Sequence, residues 1–524
     1  MPPADKHLLP DRVTVDELLR RAAAKDPDRV AIVTERHRLT FAELDAAADR
    51  CAAALSGTDG AVGLAMVLDP AFATAYYGIP RAGNVVVTMN PMLRGHTLEH
   101  ICRTAEVRTA FLTSAMLEEL APALDRLPQL RTIVVMDGPA SVPGTLSFDA
   151  FMAAAPAHPA TPGPATAPDE PACIQFTSGS TGAPKGVQLS HRNVVANAVQ
   201  VAVAHGLDES SLTVNHIPGY HLMHLNSAVY ARATQVLCRD ADPAASIELA
   251  NQHKADRLYS LPVWLARLAA DPRLPELRLD TVQAVLSGGS ALPGGVARTL
   301  TEHFGVPVLQ GYGMAETSPL THCDRIDRPK WDSVGYPVTG TECRVVDVDR
   351  RTPLRYREKG EVQVRGPQLM LGYLGREHAA EIDEDGWFST GDIGLIDLEG
   401  ALFLTDRIKD VFKCDNELVS PTEVERVLVT HPLVADCAVV DFPDRFSGAV
   451  PFGLVVLEPS HRAADETRAL DAIVEYVNAK VAVFQRLQHI RAVPEIPRTA
   501  TGKIQRRTLR EQVRADSPMA PAAR

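Results

Sequence analysis

Polar and apolar positions along the first 150 residues alternate between helical stripes and short apolar runs. Thr14-Val15-Asp16-Glu17 has the form of a capping box ahead of LLRRAAA, and Thr40-Phe41-Ala42-Glu43 repeats it ahead of LDAAADRCAAAL. The runs AVGLAMVL (61–68) and VVVTM (85–89) read as strands between helices. Such alternation predicts an α/β fold with a mostly parallel sheet. From Pro156 to Pro171 six of sixteen residues are proline, which predicts a surface loop, and the strand-like PACIQFTS follows at once.

From about residue 340 the pattern shortens to β segments: CRVVDV, GEVQVRG and ALFLTDR. Beyond them, Ser420-Pro421-Thr422-Glu423 caps a helix, CAVVDF and FGLVVLE read as strands, and DAIVEYVNAKVA reads as a helix. The expected organisation is a large N-terminal domain over 1–408 of mixed, mostly parallel sheets with helices, its β-rich subdomain at about 340–408. A small, mobile α+β domain over 409–514 and a disordered tail over 515–524 follow, with the boundary near Arg407–Lys409. There is no internal repeat.

Composition narrows the classes. At 524 residues the chain exceeds one compact unit, and 45% apolar with 23% charged residues excludes a largely disordered or collagen-like chain. A net charge of −12 argues against nucleic acid or an anionic membrane as the main partner. The eight cysteines are scattered without a CxxC pair, which argues against structural zinc and for a reducing compartment. MPPADKHLLPDRV lacks a signal-peptide layout, and no run approaches the ~18 apolar residues of a membrane span. A cytoplasmic location without membrane insertion is expected.

The sharpest chemical signal is Thr177-Ser178-Gly179-Ser180-Thr181-Gly182-Ala183-Pro184-Lys185-Gly186, which follows an apolar strand. Its glycines let the backbone turn tightly and aim N–H groups inward as an anion nest. Thr177, Ser178, Ser180 and Thr181 add hydroxyl donors and Lys185 adds a cation, a combination suited to polyphosphate. It is not a GxxxxGK[ST] loop, because Gly186 follows the lysine.

This segment resembles the signature of the adenylate-forming superfamily, which includes acyl- and aryl-CoA synthetases, luciferases and nonribosomal adenylation domains. Further segments resemble the family in order over nearly the whole chain. In Gly311-Tyr312-Gly313-Met314-Ala315-Glu316-Thr317 the resemblance implies that Tyr312 stacks on adenine, Glu316 holds Mg²⁺ and Thr317 contacts the α-phosphate; a hard carboxylate oxygen suits magnesium. Gly288, Gly289 and Ser290 resemble the strand end that borders the adenine and, with Gly313, the acyl pocket. Ser389-Thr390-Gly391-Asp392 resembles the ribose clamp, with Arg407 contacting ribose or phosphate and Lys409 at the hinge position. Arg498-Thr499-Ala500-Thr501-Gly502-Lys503 matches the catalytic-lysine motif. A carboxylate attacking an α-phosphate brings two anions together, so a cation about 4 Å away contributes ~4 kcal/mol at an effective dielectric near 20, about a thousandfold in rate.

Two departures bear on specificity. In the loop that resembles the pantetheine-facing segment, Cys414-Asp415-Asn416, asparagine stands where the family usually has glycine. Asn tolerates positive φ, but its amide occupies space where a pantetheine arm passes. In Asn215-His216-Ile217-Pro218-Gly219-Tyr220-His221-Leu222-Met223-His224, which resembles the acyl-pocket segment, His221 sits at the gating position and His224 replaces the usual glycine. A ring there shortens the pocket and adds a hydrogen-bonding group, which favours a small or polar acid, including a substituted aromatic one. The resemblance implies an ATP- and Mg²⁺-dependent ligase that forms an acyl-AMP and pyrophosphate and then passes the acyl group to CoA. The alternative is a non-CoA acceptor (an amine, a carrier-protein thiol or another nucleophile), with an unusual acid, in specialised metabolism.

Overall fold

The computed structural model describes residues 12–140, 142–156, 166–177, 184–376, 381–415, 417–458, 466–498 and 504–515. The chain packs as two compact units, one of Met1–Glu342 with Val364–Phe388, the other of Cys343–Gln363 with Ser389–Arg524. Most of the β-rich stretch expected at 340–408 thus packs with the C-terminal unit.

Among the described residues the first unit is built on two large mixed sheets. In one, strands Val30–Val33, Thr234–Leu237, Leu212–His216, Arg257–Ser260, Ala284–Ser287 and Val308–Gly313 run parallel, and antiparallel strands extend both edges. In the other, Pro171–Thr177, Val85–Met89, Ala61–Ala65, Thr109–Leu112, Thr132–Val135 and Leu146–Ser147 are parallel, and Lys185–Ser190 and Gly372–Tyr373 complete one edge antiparallel. The parallel strands are near-continuous apolar runs because helices cover their faces. Val87, Ala110, Leu112 and Val135 pack against Leu98, Ile101 and Leu117, while Val214, Leu258 and Val285 pack against Ile247, Leu265 and Leu300. The local signals act as read: Thr40 Oγ1 accepts from Glu43 N at 3.2 Å while the Glu43 carboxylate accepts from Thr40 N at 2.8 Å.

The strand Lys185–Ser190, in which Val187 and Leu189 are fully buried, stands between the glycine-rich segment and the helix His191–His205. The loop is therefore a hairpin connection, with Thr177 in register with Lys185.

The second unit carries a four-stranded sheet of Glu342–Val346, Gly360–Arg365, Phe388–Ile396 and Leu402–Arg407. It also carries a sheet centred on the long hairpin Val434–Asp444 and Gly448–Leu457. Helices Pro421–Leu428 and Glu466–Asn478 pack on one face of that hairpin through Val424, Leu428, Ile473 and Val477; Arg506–Ala515 packs on the other through Leu509 and Val513. No helix among the described residues is long and apolar enough to cross a membrane.

Candidate functional site

Four parallel strands of the first sheet reach their carboxyl edge in one register row: His216 beside Ser260, Ser260 beside Ser287, Ser287 beside Gln310. The carboxyl edge of an open α/β sheet is where ligands bind, because the connecting loops diverge there. Gly288–Ser290 and Gly311–Gly313 follow that row immediately, so residues far apart in sequence meet on one edge. The Ser287 hydroxyl is buried without a hydrogen-bond partner among the described residues. Gly289 has φ +89°, a conformation that glycine adopts without strain. At Gly313 a side chain has no room, since a Cβ would lie 1.9 Å from the Pro319 carbonyl oxygen. The strand bulges between Tyr312 and Gly313, and the Tyr312 ring tilts towards His322 with centroids 5.9 Å apart.

At the hairpin of the second sheet, two of the expected groups are tied together by one that the sequence reading missed. The Lys185 ammonium lies 4.7 Å from the centroid of the Tyr373 ring and 3.9 Å from a Glu381 carboxylate oxygen. The Tyr373 hydroxyl donates to Glu316 Oε1 at 2.9 Å. Burial and the neighbouring Glu316 charge push the Tyr373 hydroxyl pKa upward, so it stays a donor. Glu316 thereby keeps its second carboxylate oxygen for a cation, and one carboxylate oxygen beside phosphate groups fits the sparse protein ligation that Mg²⁺ usually accepts. Thr317 is fully buried, and its hydroxyl donates within its own turn, to the carbonyls of Pro319 and of Met314 (3.0 Å). An aromatic residue flanked by glycine, Gly372-Tyr373, repeats the Gly311-Tyr312-Gly313 pattern; that was the available signal for it.

The three histidines have different environments. His216 is fully buried and spends both ring nitrogens inside the protein, on Ser260 Oγ and the Asp240 carbonyl, each at 3.1 Å, while stacking on Trp264 at 4.1 Å. Burial pulls its pKa down to about 4. His221 caps the helix Leu222–Ala231, its Nδ1 accepting from Met223 N at 3.2 Å, and burial brings its pKa to about 4. His224, in the first turn of that helix, is half-buried and stacks on Tyr259 with centroids 4.3 Å apart and planes 20° apart. Its Nδ1 is buried without a hydrogen-bond partner among the described residues. Burial first, then His221 and His205, hold its pKa well below the ordinary value, so the ring is neutral. Tyr259 stands one residue before Ser260, which sets the His224 ring one step behind the carboxyl-edge row.

In the second unit Asp392 and Arg407 face each other across paired strands, Arg407 Nε lying 2.8 Å from Asp392 Oδ1. Asp392 is buried while Arg407 is exposed. Asp406 accepts from Ser420 Oγ at 3.1 Å and Thr422 N at 3.0 Å, anchoring the following helix to the strand end. Lys409 lies between these elements; burial lowers its pKa, and its carbonyl accepts from Arg510 at 3.4 Å. Cys414 is buried, and Asp415 takes the left-handed conformation at φ +51°. Ser178, Gly179, Ser180, Thr181, Gly182, Asn416 and Lys503 lie outside the described residues.

Comparisons with known proteins extend over nearly the whole chain. A family model described as AMP-binding enzyme matches residues 19–374, and one described as AMP-binding enzyme C-terminal domain matches 423–503. Among curated relatives, 4-coumarate–CoA ligase 2 of Oryza sativa subsp. japonica is 31% identical, over 97% of this chain and 94% of its own. The long-chain-fatty-acid–CoA ligase of Bacillus subtilis (strain 168) is 29% identical over 96% of this chain and 95% of its own. Among solved structures, the anthranilate CoA ligase AuaEII in complex with anthranoyl-AMP superposes with a TM-score of 0.84 at 27% identity, covering 97% of this chain and 98% of that one.

Proposed function

The chain belongs to the AMP-binding enzyme family, the adenylate-forming superfamily, and from that membership we propose that it joins a small, polar or substituted aromatic carboxylic acid to coenzyme A. It is an ATP-dependent, AMP-forming acid ligase similar to acyl-CoA synthetases. In the first half-reaction a carboxylate oxygen of the acid attacks the α-phosphorus of ATP. The bond to the bridging oxygen breaks, and pyrophosphate leaves with its electron pair. In the second, the CoA sulfur attacks the acyl carbon, the thiol proton is released and AMP departs.

Each residue of the site takes a role in this reading. The 177–185 hairpin and the Lys185 ammonium hold the phosphates. Tyr312 and the glycines at 288, 289, 311 and 313 receive the adenine and border the acid. Thr317, whose hydroxyl is held by carbonyls of its own turn, fixes the turn that carries Glu316 rather than reaching the α-phosphate itself. Asp392, steadied by Arg407, accepts the ribose hydroxyls. Glu316 would hold Mg²⁺, which when bound neutralises phosphate charge and eases departure of pyrophosphate. Lys503 brings a cation to the α-phosphate, and rotation about Lys409 then presents the 414–416 loop to the acceptor.

The observation that most supports a nucleotide site is the convergence of Lys185 and Glu316 on Tyr373 beside the glycine-rich hairpin. The neutral His224 ring on Tyr259 supports the choice of acid. It offers a hydrogen bond to a hydroxyl or amine but no charge for a second carboxylate. A cytoplasmic location belongs to the same reading and is supported by eight free cysteines. The test is incubation with ATP, Mg²⁺, CoA and a panel of hydroxy- and aminoaryl, dicarboxylic and straight-chain acids, with mass spectrometry of the products. An aryl-CoA thioester is expected. AMP release with an amine or a carrier protein but never with CoA would favour the second reading, which Asn416 in the acceptor loop supports.

A further inference from the structure

The segment Met370–Leu374 lies outside every motif from which the site was assembled, yet it is bonded to both charged elements of that site. On one side its strand pairs with the strand that begins at Lys185: Tyr373 is in register with Val187, Gly372 with Gln188, and Leu374 N donates to the Gly186 carbonyl at 2.7 Å. On the other side Met370 N donates to the Glu316 carbonyl at 2.9 Å. Between these backbone anchors the Tyr373 side chain is buried, and it touches both functional groups at once. Its ring face carries the Lys185 ammonium at 4.7 Å, and its hydroxyl donates to Glu316 Oε1 at 2.9 Å.

From these contacts we propose that Tyr373 is a positioning residue of the nucleotide site, one rigid side chain that fixes the separation of the Lys185 cation from the Glu316 carboxylate. The inference rests on the reading of these two groups as phosphate- and metal-binding. A lysine has four rotatable bonds and a glutamate three, so without a shared support each would sample many positions and lose that freedom only when ATP arrives. A phenol ring has two, both locked here by burial. The ring attracts the ammonium through its quadrupole, while the hydroxyl holds one carboxylate oxygen through a charge-assisted hydrogen bond. That bond leaves the other oxygen aimed at whatever cation accompanies the phosphates. Glu381, 3.9 Å from Lys185, is the carboxylate that an incoming phosphate must displace.

Two variants separate positioning from packing. Tyr373→Phe keeps the ring, its packing and the ammonium contact and removes only the hydroxyl. Tyr373→Leu removes the platform as well. Mn²⁺ binding in the presence of a non-hydrolysable ATP analogue is followed by electron paramagnetic resonance, with thermal unfolding and pyrophosphate exchange in parallel. For Tyr373→Phe the expected result is about tenfold weaker Mn²⁺ binding and about tenfold slower exchange, the size of one charge-assisted hydrogen bond, with melting within about 2 °C of wild type. Tyr373→Leu should in addition weaken the ATP analogue itself by about fivefold, the scale of one cation–π contact. Wild-type Mn²⁺ affinity in Tyr373→Phe would overturn the inference. So would losses that merely track a common fall in melting temperature in both variants. Failure of the wild-type protein to bind the analogue would instead overturn the underlying reading of the site.

Discussion

Replacing His224 by glycine removes the imidazole that stacks on Tyr259 at 4.3 Å. For stability the effects nearly cancel. The lost stack costs about 0.5–1.5 kcal/mol, and glycine in the first turn of the helix Leu222–Ala231 costs about 0.5–1 kcal/mol. Against these, the unpartnered buried Nδ1 disappears, which returns about 1–3 kcal/mol. The folded state should therefore survive within ~1 kcal/mol. Selectivity should move much more. The vacated ring leaves room for about three methylenes, each contributing ~0.8 kcal/mol on burial, or about fourfold in kcat/KM. An acid three carbons longer should gain up to about sixtyfold over its short homologue. An aryl acid with a hydroxyl or amine should lose up to about tenfold relative to the unsubstituted acid as its hydrogen-bond partner goes. Pyrophosphate release, measured as kcat/KM over straight-chain acids and a hydroxylated and plain aryl pair, reads both ratios. If both stay within twofold of wild type, the His224 ring does not line the acid pocket.

The other predictions concern separate parts of the account. Lys503→Ala should reduce acid-dependent pyrophosphate exchange by about a thousandfold while ATP affinity stays within about tenfold; wild-type exchange would refute the assignment. Gly313→Ala places a Cβ where the Pro319 carbonyl oxygen lies 1.9 Å away, so the strands must part and Tyr312 must shift. Calorimetry should show ATP binding weaker by about fivefold or more, since overpacking of this kind costs about 1–3 kcal/mol, and unchanged affinity would remove Tyr312 from the nucleotide site. Acid should destabilise the fold through its buried imidazoles. The pKa of His216 is about 4 in the fold against 6.5 for the free group, so its contribution is complete above pH 6.5 and is lost as the pH falls towards 4. That loss is ~2 kcal/mol at pH 5, and His205 and His322, both held at about 3, act with the same sign. Denaturant unfolding at pH 7.5 and 5.0 measures the difference; equal stabilities would contradict it.

What was legible in the sequence was local. Thr40 and Glu43 lie three residues apart, so their reciprocal cap can be read directly, and the apolar runs at 61–65 and 85–89 announce parallel strands. The ordered motifs singled out Glu316 and Lys185, and the fold brings these two to the same tyrosine, Tyr373. Pairings across long separations were not legible. Tyr373 reaches Glu316 across 57 residues, and its partner strand is set by the edge of a sheet that no local period reveals. The strand Lys185–Ser190 is not separable by pattern from the helix that follows, because its six residues alternate too briefly before HRNVV. His216 was assigned to the pocket by its neighbours in sequence, but both of its nitrogens are satisfied within the protein, by Ser260 and Asp240. That accounting needs a fold.

The central claim is that this chain activates a carboxylic acid as its adenylate, and exchange of labelled pyrophosphate into ATP tests it without assuming any acceptor. With ATP, Mg²⁺ and the acid panel but no CoA, the label should enter ATP only when an acid is present, most strongly with a hydroxyl- or amino-bearing aryl acid. Exchange that stays at background with every acid, from a folded protein that binds ATP, would contradict the account.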